Sequence, residues 1–202
     1  MRKPKPFERL YVIAETQQGY FTARQAAAAG FGLGSHHYHV KKGHWLREYR
    51  GIYRLAHYPQ TDDAQLIVGH LWSMNRQGIA QGVYSHQTAL SLRNLSDLMP
   101  AKLHMTVPPH FRRNGKPPDW LALHRGQLEK SDIEPMRGFS VVKPFQSILD
   151  LAREEMVSRD ILEQAIREGV GQGLVPIHRL REALRDPAVA PWLKTLLQAQ
   201  IK

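Results

Sequence analysis

The fold is decided by residues 22–55, which read TARQAAAAGFGLGSHHYHVKKGHWLREYRGIYRL. The alanine-rich opening predicts a short helix over residues 23–29, because alanine has the highest helix propensity. Thr22 has a side chain that caps a helix start, and Gly30 has the backbone freedom that ends a helix. This helix is the first of two that the stretch encodes.

The second helix is predicted over residues 36–42, where Ser35 can cap the start and Gly43 can end it. Two runs rich in aromatic and branched residues follow, residues 45–49 and 52–56, and they predict a β-hairpin. Two helices followed by a hairpin is the order of a winged helix-turn-helix. In that motif the second helix enters the DNA major groove, and the hairpin forms the wing.

Upstream of this stretch, one more helix is predicted over residues 7–18. Its apolar positions Leu10, Ile13 and Ala14 share one face, and a glycine follows as a stop. Residues 1–58 are therefore predicted to form a winged helix-turn-helix DNA-binding domain.

Downstream, the polar segment 57–61 predicts a domain boundary, and residues 60–202 are predicted to form a second domain. Strands are predicted at residues 103–107, 120–124 and 139–142, and helical apolar stripes fill the C-terminal third. The predicted fold class is α+β. An N-terminal winged helix-turn-helix is followed by a mixed α/β domain that ends in helices.

Charge distinguishes the two parts. The 202-residue chain has a formal net charge of +10, and residues 1–58 carry ten basic and three acidic side chains, a balance of +7. A strongly basic segment joined to a less charged remainder is typical of a nucleic-acid-binding protein. A soluble protein that simply has a high isoelectric point is the alternative explanation.

Several classes of protein are excluded by what the sequence lacks. It contains no cysteine, which excludes disulfides, cysteine zinc sites and thiol catalysis. It contains no apolar run near the roughly 20 residues that a membrane helix needs, and no apolar segment follows the basic start as in a signal peptide. We therefore expect a cytoplasmic protein without contact to a membrane.

Two groups of motifs, taken together, resemble one known family. The first is Gly-Tyr-Phe-Thr at residues 19–22, Lys-Gly-His-Trp at 42–45 and Arg-Gly-Ile-Tyr-Arg-Leu at 50–55. The second is Tyr-Ser-His-Gln-Thr-Ala-Leu at 84–90 and Met-Thr-Val-Pro at 105–108. In this order they resemble AbiEi-type antitoxins, the transcription-regulating halves of type IV toxin–antitoxin systems.

The resemblance implies a double-stranded DNA partner, the operator of the protein's own operon, which the N-terminal domain would repress. It also implies that residues 60–202 form an AbiEi-like antitoxin domain that counteracts a cognate nucleotidyltransferase-like toxin, with or without direct contact. Where relatives commonly carry arginines on the second helix of the motif, this chain has histidines, so base preferences do not carry over. The alternative function is a winged-helix regulator whose second domain binds a protein or assembles the regulator, with no toxin.

Candidate DNA contacts follow from the helical period of about 100° per residue, which places His36 and His37 on the side of Val40. If Val40 faces the core, the opposite side faces the DNA groove, where lysines suit phosphates and other polar groups suit phosphates or bases. A solvated basic helix, and wing arginines that merely protect a strand edge, are the alternatives. The predicted DNA-binding residues are Thr22, Arg24, Ser35, Tyr38, His39, Lys41, Lys42, Arg47, Arg50 and Arg54.

A second basic patch is predicted outside this domain, with a solvated hairpin tip as the alternative explanation. Its members are Arg112, Arg113 and Lys116.

No metal site is expected from the histidine triplet at residues 36–39, because only two of the three share a helix face and no carboxylate or cysteine lies nearby in sequence. The other histidines are scattered along the sequence, including His86, His104, His110 and His124. Of these, His86 is expected to form a hydrogen bond near a helix start. We expect neither a metal nor another cofactor.

No catalytic residue is predicted. Nuclease chemistry of the Glu-x-Lys type is missing, because no acidic residue is followed two places later by lysine. The Gly-Lys pair at residues 115–116 precedes a proline rather than the serine or threonine of a phosphate-binding loop, and the glycines at 30–34 follow a helix rather than a strand. We therefore expect a binding protein and not an enzyme.

Overall fold

A computed structural model of the chain describes residues 4–113 and 116–201. The described residues fall into two compact units. The first comprises Met1–Gly82 and Pro135–Phe139, and the second comprises Val83–Glu134 and Ser140–Lys202. The predicted winged helix-turn-helix, followed by mixed α/β structure that ends in helices, is confirmed.

The first unit contains the predicted helices and hairpin together with one short additional strand. Its three-stranded antiparallel sheet has the order β1-β3-β2. Strand β1 was not predicted, because a run of three residues is too short to show a period. The elements are α1 (Pro6–Glu15), β1 (Tyr20–Thr22), α2 (Ala23–Ala29), α3 (Ser35–Lys41), β2 (Trp45–Tyr49), β3 (Ile52–Leu55) and α4 (Ala64–Trp72).

The two predicted helix caps differ in outcome. At α2 the prediction is confirmed, because the Thr22 hydroxyl accepts a hydrogen bond from the Gln25 backbone N–H and the Gln25 side chain accepts one from the Thr22 backbone. At α3 it is wrong: Ser35 is the first residue of the helix, and Gly34 occupies the cap position. The Ser35 hydroxyl donates instead to the Gly32 carbonyl at 2.7 Å, which closes the preceding turn.

The core of the first unit is built around one tryptophan. Trp45 is buried, and its ring contacts Phe21 and Phe31 edge-on, with centroids 4.9 and 5.1 Å apart. Because this indole lies between the sheet and the helices, it sets where α3 lies on the domain. The buried apolar residues of this core are Leu10, Ala14, Phe21, Ala26, Ala29, Trp45 and Leu55.

Helix α4 is also part of the first unit. It is apolar around most of its circumference, as expected of a buried helix, and it contacts β1 and β3. The same unit includes Arg137, whose carbonyl accepts a 2.6 Å hydrogen bond from Gln18 and whose guanidinium lies 3.2 Å from Asp63. The first compact unit therefore extends past residue 58 to Gly82, and a functional boundary near residue 58 stays a prediction.

After Gly82, the described residues form a five-stranded sheet, five α-helices and one short 3-10 helix (Lys130–Asp132). The sheet order is β6-β5-β4-β8-β7, and β5 is parallel to β6. The sequence predicted β5, β6 and β8 but not the other two short strands. The elements are β4 (Val83–Tyr84), α5 (His86–Ser91), β5 (Leu103–Val107), β6 (Leu121–Arg125), β7 (Ile133–Met136), β8 (Phe139–Val142), α6 (Pro144–Arg153), α7 (Arg159–Gly171), α8 (Ile177–Arg185) and α9 (Pro191–Ala199).

The core of the second unit is mostly helical. The stripe predicted on α6 is confirmed, because Phe145, Ile148 and Ala152 are buried on one side of the helix. Residues from α5, α7, α8 and α9 complete this core. In the described parts of the chain, no helix is both long and apolar enough to cross a membrane.

Candidate functional site

Helix α3 is held against the first core by a narrow inward stripe. His36 is buried, its Nε2 lies 3.2 Å from the Phe31 carbonyl oxygen, and its ring packs against Trp45. Val40 is partly buried against the same core, so the predicted inward positions of His36 and Val40 are confirmed. The prediction for His37 is wrong, because its side chain is exposed. A helix of two turns covers the core with too narrow a stripe to include it.

The outward face of α3 presents an aromatic ring and two ammonium groups. Tyr38, Lys41 and Lys42 are exposed, and the Lys42 Nζ lies 6.0 Å from the centroid of the Tyr38 ring. These three side chains are available to a ligand because they are exposed. The core contacts of His36 fix the helix backbone that carries them.

The side chain of His39 is partly buried, unlike those of Tyr38, Lys41 and Lys42. Its ring stacks on Trp45 with centroids 4.6 Å apart, and its Nδ1 lies 3.2 Å from His44 Nδ1. Partial burial lowers the pKa of His39, and the neighbouring His44 and His36 lower it further. The imidazole is therefore neutral near pH 7, and a DNA contact by His39 stays a prediction.

The start of α2 supplies one further exposed cation. Arg24 is exposed, whereas the Thr22 side chain is engaged in its capping hydrogen bond and the Ser35 hydroxyl in its turn. Of these three predicted DNA contacts, only Arg24 has an exposed side chain that makes no hydrogen bond or ion pair with another described residue.

The hairpin separates its three arginines. Arg47 on β2 and Arg50 at the turn are exposed, and the turn is completed by Gly51 at φ +73°. Arg54 is only 7% exposed: its Nε donates to Glu48 Oε1 at 2.8 Å, and its Nη1 donates to the Tyr58 carbonyl at 2.7 Å. Arg54 thus holds the chain segment after the hairpin, and a DNA contact by this residue stays a prediction.

We use the name basic face for those predicted DNA contacts at α2, at α3 and on the hairpin whose side chains are exposed. Its members are Arg24, Tyr38, Lys41, Lys42, Arg47 and Arg50. The predicted second patch lies elsewhere, in the second unit, where Arg112, Arg113 and Lys116 are all exposed in the loop between β5 and β6.

The structure also assembles a group of titratable side chains that no sequence pattern marked. The name histidine cluster is used for His86, His104, His124 and Glu154. Although these histidines are scattered along the sequence, they meet in the fold: the rings of His86 and His124 stack with centroids 3.7 Å apart, and His104 Nδ1 lies 2.9 Å from His124 Nε2. Both nitrogens of His124 are engaged, because its Nδ1 lies 3.2 Å from Glu154 Oε2.

The cluster is assembled by non-local contacts. In the parallel pair of β5 and β6, His124 lies opposite Thr106, two residues after His104, so both imidazoles project from the same face of the sheet. His86 begins α5, and Glu154 directly follows α6. No local sequence pattern marks this meeting, since its members come from four separate elements.

The environment of the cluster keeps His104 and His124 neutral near pH 7. Burial lowers the pKa of His104 to about 4, and the neighbouring His124 and His86 lower it further. Burial also lowers the pKa of His124. Neutral imidazoles retain a lone pair on one nitrogen, which makes them acceptors and metal ligands.

His86 carries two special features. It is a non-glycine residue at φ +53°, in the left-handed region, and its side chain is buried. Its Nδ1 lies 2.8 Å from Ser85 Oγ at the start of α5, which confirms the expected hydrogen bond near a helix start.

Residues 8–56 match a protein family described as transcriptional regulator, AbiEi antitoxin. This match covers the winged helix-turn-helix and confirms the resemblance found in the sequence. No curated protein matches the chain. Among solved structures, the chain is similar to the crystal structure of RV2827C protein from Mycobacterium tuberculosis, with 16% identity and a TM-score of 0.57 over 99% of this chain and 82% of that chain. At that identity the likeness shows the fold alone.

Proposed function

Starting from the match of residues 8–56 to AbiEi-type transcriptional regulators, we propose that this chain is a type IV antitoxin that represses its own operon. It binds double-stranded operator DNA through its first unit and counteracts a nucleotidyltransferase-like toxin through residues 60–202. Binding rather than catalysis carries both activities. The observation that supports DNA binding most strongly is the basic face, because it lies on the helix and the hairpin that contact DNA in a winged helix-turn-helix.

Helix α3 acts as the recognition helix in this proposal. Its inward stripe is anchored on Trp45 through His36, so the helix backbone is already ordered before DNA binds. Lys41 and Lys42 neutralise phosphates, and Tyr38 donates a hydrogen bond to a phosphate or a base edge.

The hairpin contributes the remaining phosphate contacts. Arg47 and Arg50 are exposed on the wing and present planar guanidinium groups that bind phosphate oxygens in pairs. Arg54 supports them from behind through its ion pair with Glu48.

Replacing Lys41 and Lys42 together with alanine is expected to weaken operator binding about 10- to 100-fold at low salt. Four to six phosphate contacts predict a slope of log affinity against log salt of roughly −4 to −5, and the loss of two contacts flattens it by about 2. Fluorescence anisotropy with a labelled operator duplex at several salt concentrations measures both quantities. Each lysine is exposed, so the fold is unchanged by circular dichroism.

The matched control for this variant removes the same charge from the other unit. Lys102 and Lys130 are exposed residues of the second unit, and replacing both with alanine should leave the slope within error of the wild type. Wild-type binding that does not change with salt, or equal losses in the two double variants, would contradict the proposed interface.

The antitoxin activity is supported by the second group of family motifs, at residues 84–90 and 105–108, which lie in the second unit. Because α4 packs on β1 and β3, a chain cut near residue 58 would uncover this helix. Point substitution therefore separates the two proposed activities more cleanly than truncation does.

In cells, the Lys41→Ala, Lys42→Ala variant is expected to lose repression of an operon reporter and still protect against the toxin when both are made from independent promoters. A growth assay beside the reporter measures the two activities together. Loss of protection in the variant alone would place the antitoxin activity in DNA binding. A wild-type chain that fails to protect would leave a regulator without a toxin.

A further inference from the structure

We propose that the histidine cluster is a binding site for one divalent transition metal ion, with His86 Nε2, His124 Nδ1 and the Glu154 carboxylate as its ligands. Among the residues that the structure describes, these form the one group of three or more metal-ligating side chains whose ligand atoms all lie within 4.8 Å of one another. Two imidazoles and a carboxylate suit Zn²⁺, and Co²⁺ or Ni²⁺ in its place. The proposal goes beyond the DNA-binding and antitoxin activities and does not rest on either of them.

The spacing of the ligand atoms fits such an ion. Glu154 Oε1 lies 3.3 Å from His86 Nε2, and Glu154 Oε2 lies 3.2 Å from His124 Nδ1. Two ligands at about 2.1 Å from Zn²⁺ in tetrahedral geometry are themselves about 3.4 Å apart. Each carboxylate oxygen thus lies close to the ligand–ligand separation from one of the two imidazoles before any ion is added.

His86 Nε2 is the strongest single indication. The residue is 2% exposed, and although Nε2 faces Glu154, the angles of that contact are not those of a hydrogen bond. Nε2 is therefore a buried nitrogen without a hydrogen-bond partner among the described residues. Buried polar atoms are normally paired, and an ion coordinated by Nε2 would supply the missing partner.

In each proposed histidine ligand, the ring nitrogen that would not bind the ion contacts another side chain. His86 Nδ1 lies 2.8 Å from Ser85 Oγ, which itself accepts a 2.7 Å hydrogen bond from Thr106. His124 Nε2 lies 2.9 Å from His104 Nδ1. Such outer hydrogen bonds are the usual support of metal-binding histidines, because they set the tautomer and the ring orientation.

The orientation of the His86 and His124 imidazoles decides how they must move to bind an ion. The planes of His86 and His124 differ by 17°, so the lone pairs of the two rings lie in nearly parallel planes. Coordination therefore requires one ring to turn about its χ2 bond, with its outer hydrogen bond readjusting, until both lone pairs converge on the ion. Glu154 can follow this movement, because its side chain is 44% exposed at the end of α6, and the same exposure gives the ion access from solvent.

The test uses the untagged full chain and Co²⁺ as a spectroscopic probe. We expect one equivalent of Co²⁺ to give the strong visible bands of a tetrahedral complex with imidazole and carboxylate ligands, and Zn²⁺ to displace it. Isothermal titration calorimetry should give one Zn²⁺ per chain. The melting temperature should rise with Zn²⁺ concentration, because an ion that binds the folded state stabilises it by mass action.

Glu154→Gln removes one ligand and should lower Zn²⁺ affinity at least about tenfold. Glu155→Gln is the matched control, because it removes the same charge from an adjacent exposed side chain, and its affinity should equal that of the wild type. His124→Gln should also lower the affinity, provided that circular dichroism shows it folded. If it is unfolded, the two glutamate variants decide the matter.

A second control concerns the first unit, where His39 and His44 also lie in contact. His44→Ala should leave Zn²⁺ binding unchanged. The proposal is overturned if the wild type binds no stoichiometric Zn²⁺ or Co²⁺, if Glu154→Gln binds as tightly as Glu155→Gln, or if binding is lost in His44→Ala alone. None of these results bears on operator binding, which the lysine variants test separately.

Discussion

Replacing Trp45 with alanine is expected to lower the free energy of unfolding of the first unit by about 3–5 kcal/mol, which is a large part of the stability of a small domain. The side chain is 1% exposed, and its ring contacts come from the strands, from Phe31 and from two histidines of α3. Removal of the indole leaves a cavity between these elements, and the neighbouring helices cannot close it fully.

Operator binding should be lost together with stability, because α3 packs against the Trp45 ring. Urea titration followed by circular dichroism, with anisotropy binding at the same temperature, measures both effects. Leu46→Ala is the matched control: Leu46 follows Trp45 on the same strand, is 40% exposed, and should lose less than about 1 kcal/mol. Equal losses in the two variants would show that the Trp45 ring does not organise this core.

Replacing Gly19 with alanine is expected to cost roughly 2–5 kcal/mol for two separate reasons. Gly19 has φ +87°, in a region where a side chain costs about 1–2 kcal/mol. An added Cβ would also overlap the Tyr58 side chain, 2.6 Å from Tyr58 Cβ and closer still to two ring carbons. Overpacking of this kind typically costs about 1–3 kcal/mol more.

A control glycine separates these two costs. Gly51 has φ +73°, and beyond its chain neighbours no described atom would lie within 4 Å of an added Cβ. Gly51→Ala should therefore show the backbone cost alone, about 1–2 kcal/mol in urea titrations. In a double-mutant cycle, Tyr58→Ala should relieve part of the Gly19→Ala loss. Equal losses of unfolding free energy in the two alanine variants would mean that the Tyr58 side chain moves aside without cost.

Elements with local signals were predictable from the sequence. Helix α2 was predicted at its observed bounds, because its alanines, the Thr22 cap and the Gly30 stop lie within eight residues of one another. The β2–β3 hairpin was predictable for the same reason, since strand residues flank a tight turn. The exposed lysines and arginines of the basic face followed from charge and from the helical period.

The positions of side chains were not predictable where local rules left two outcomes open. Ser35 was expected to cap α3, but the preceding turn takes its hydroxyl, and the helix begins one residue earlier. Arg54 looked like any other wing arginine, yet Glu48 and the Tyr58 carbonyl draw it inward. In both cases a hydrogen-bond partner that the pattern does not encode decided the position of the side chain.

By itself, then, the sequence determined the order of the helices, the wing, the basic first lobe and the resemblance to AbiEi-type regulators, because propensity, capping and charge act between residues close in the chain. Only the tertiary structure brought His86, His104, His124 and Glu154 together. Their meeting depends on the register of β5 against β6 and on the packing of α5 and α6. Contacts between elements distant in sequence leave no period and no spacing by which they could be recognised beforehand.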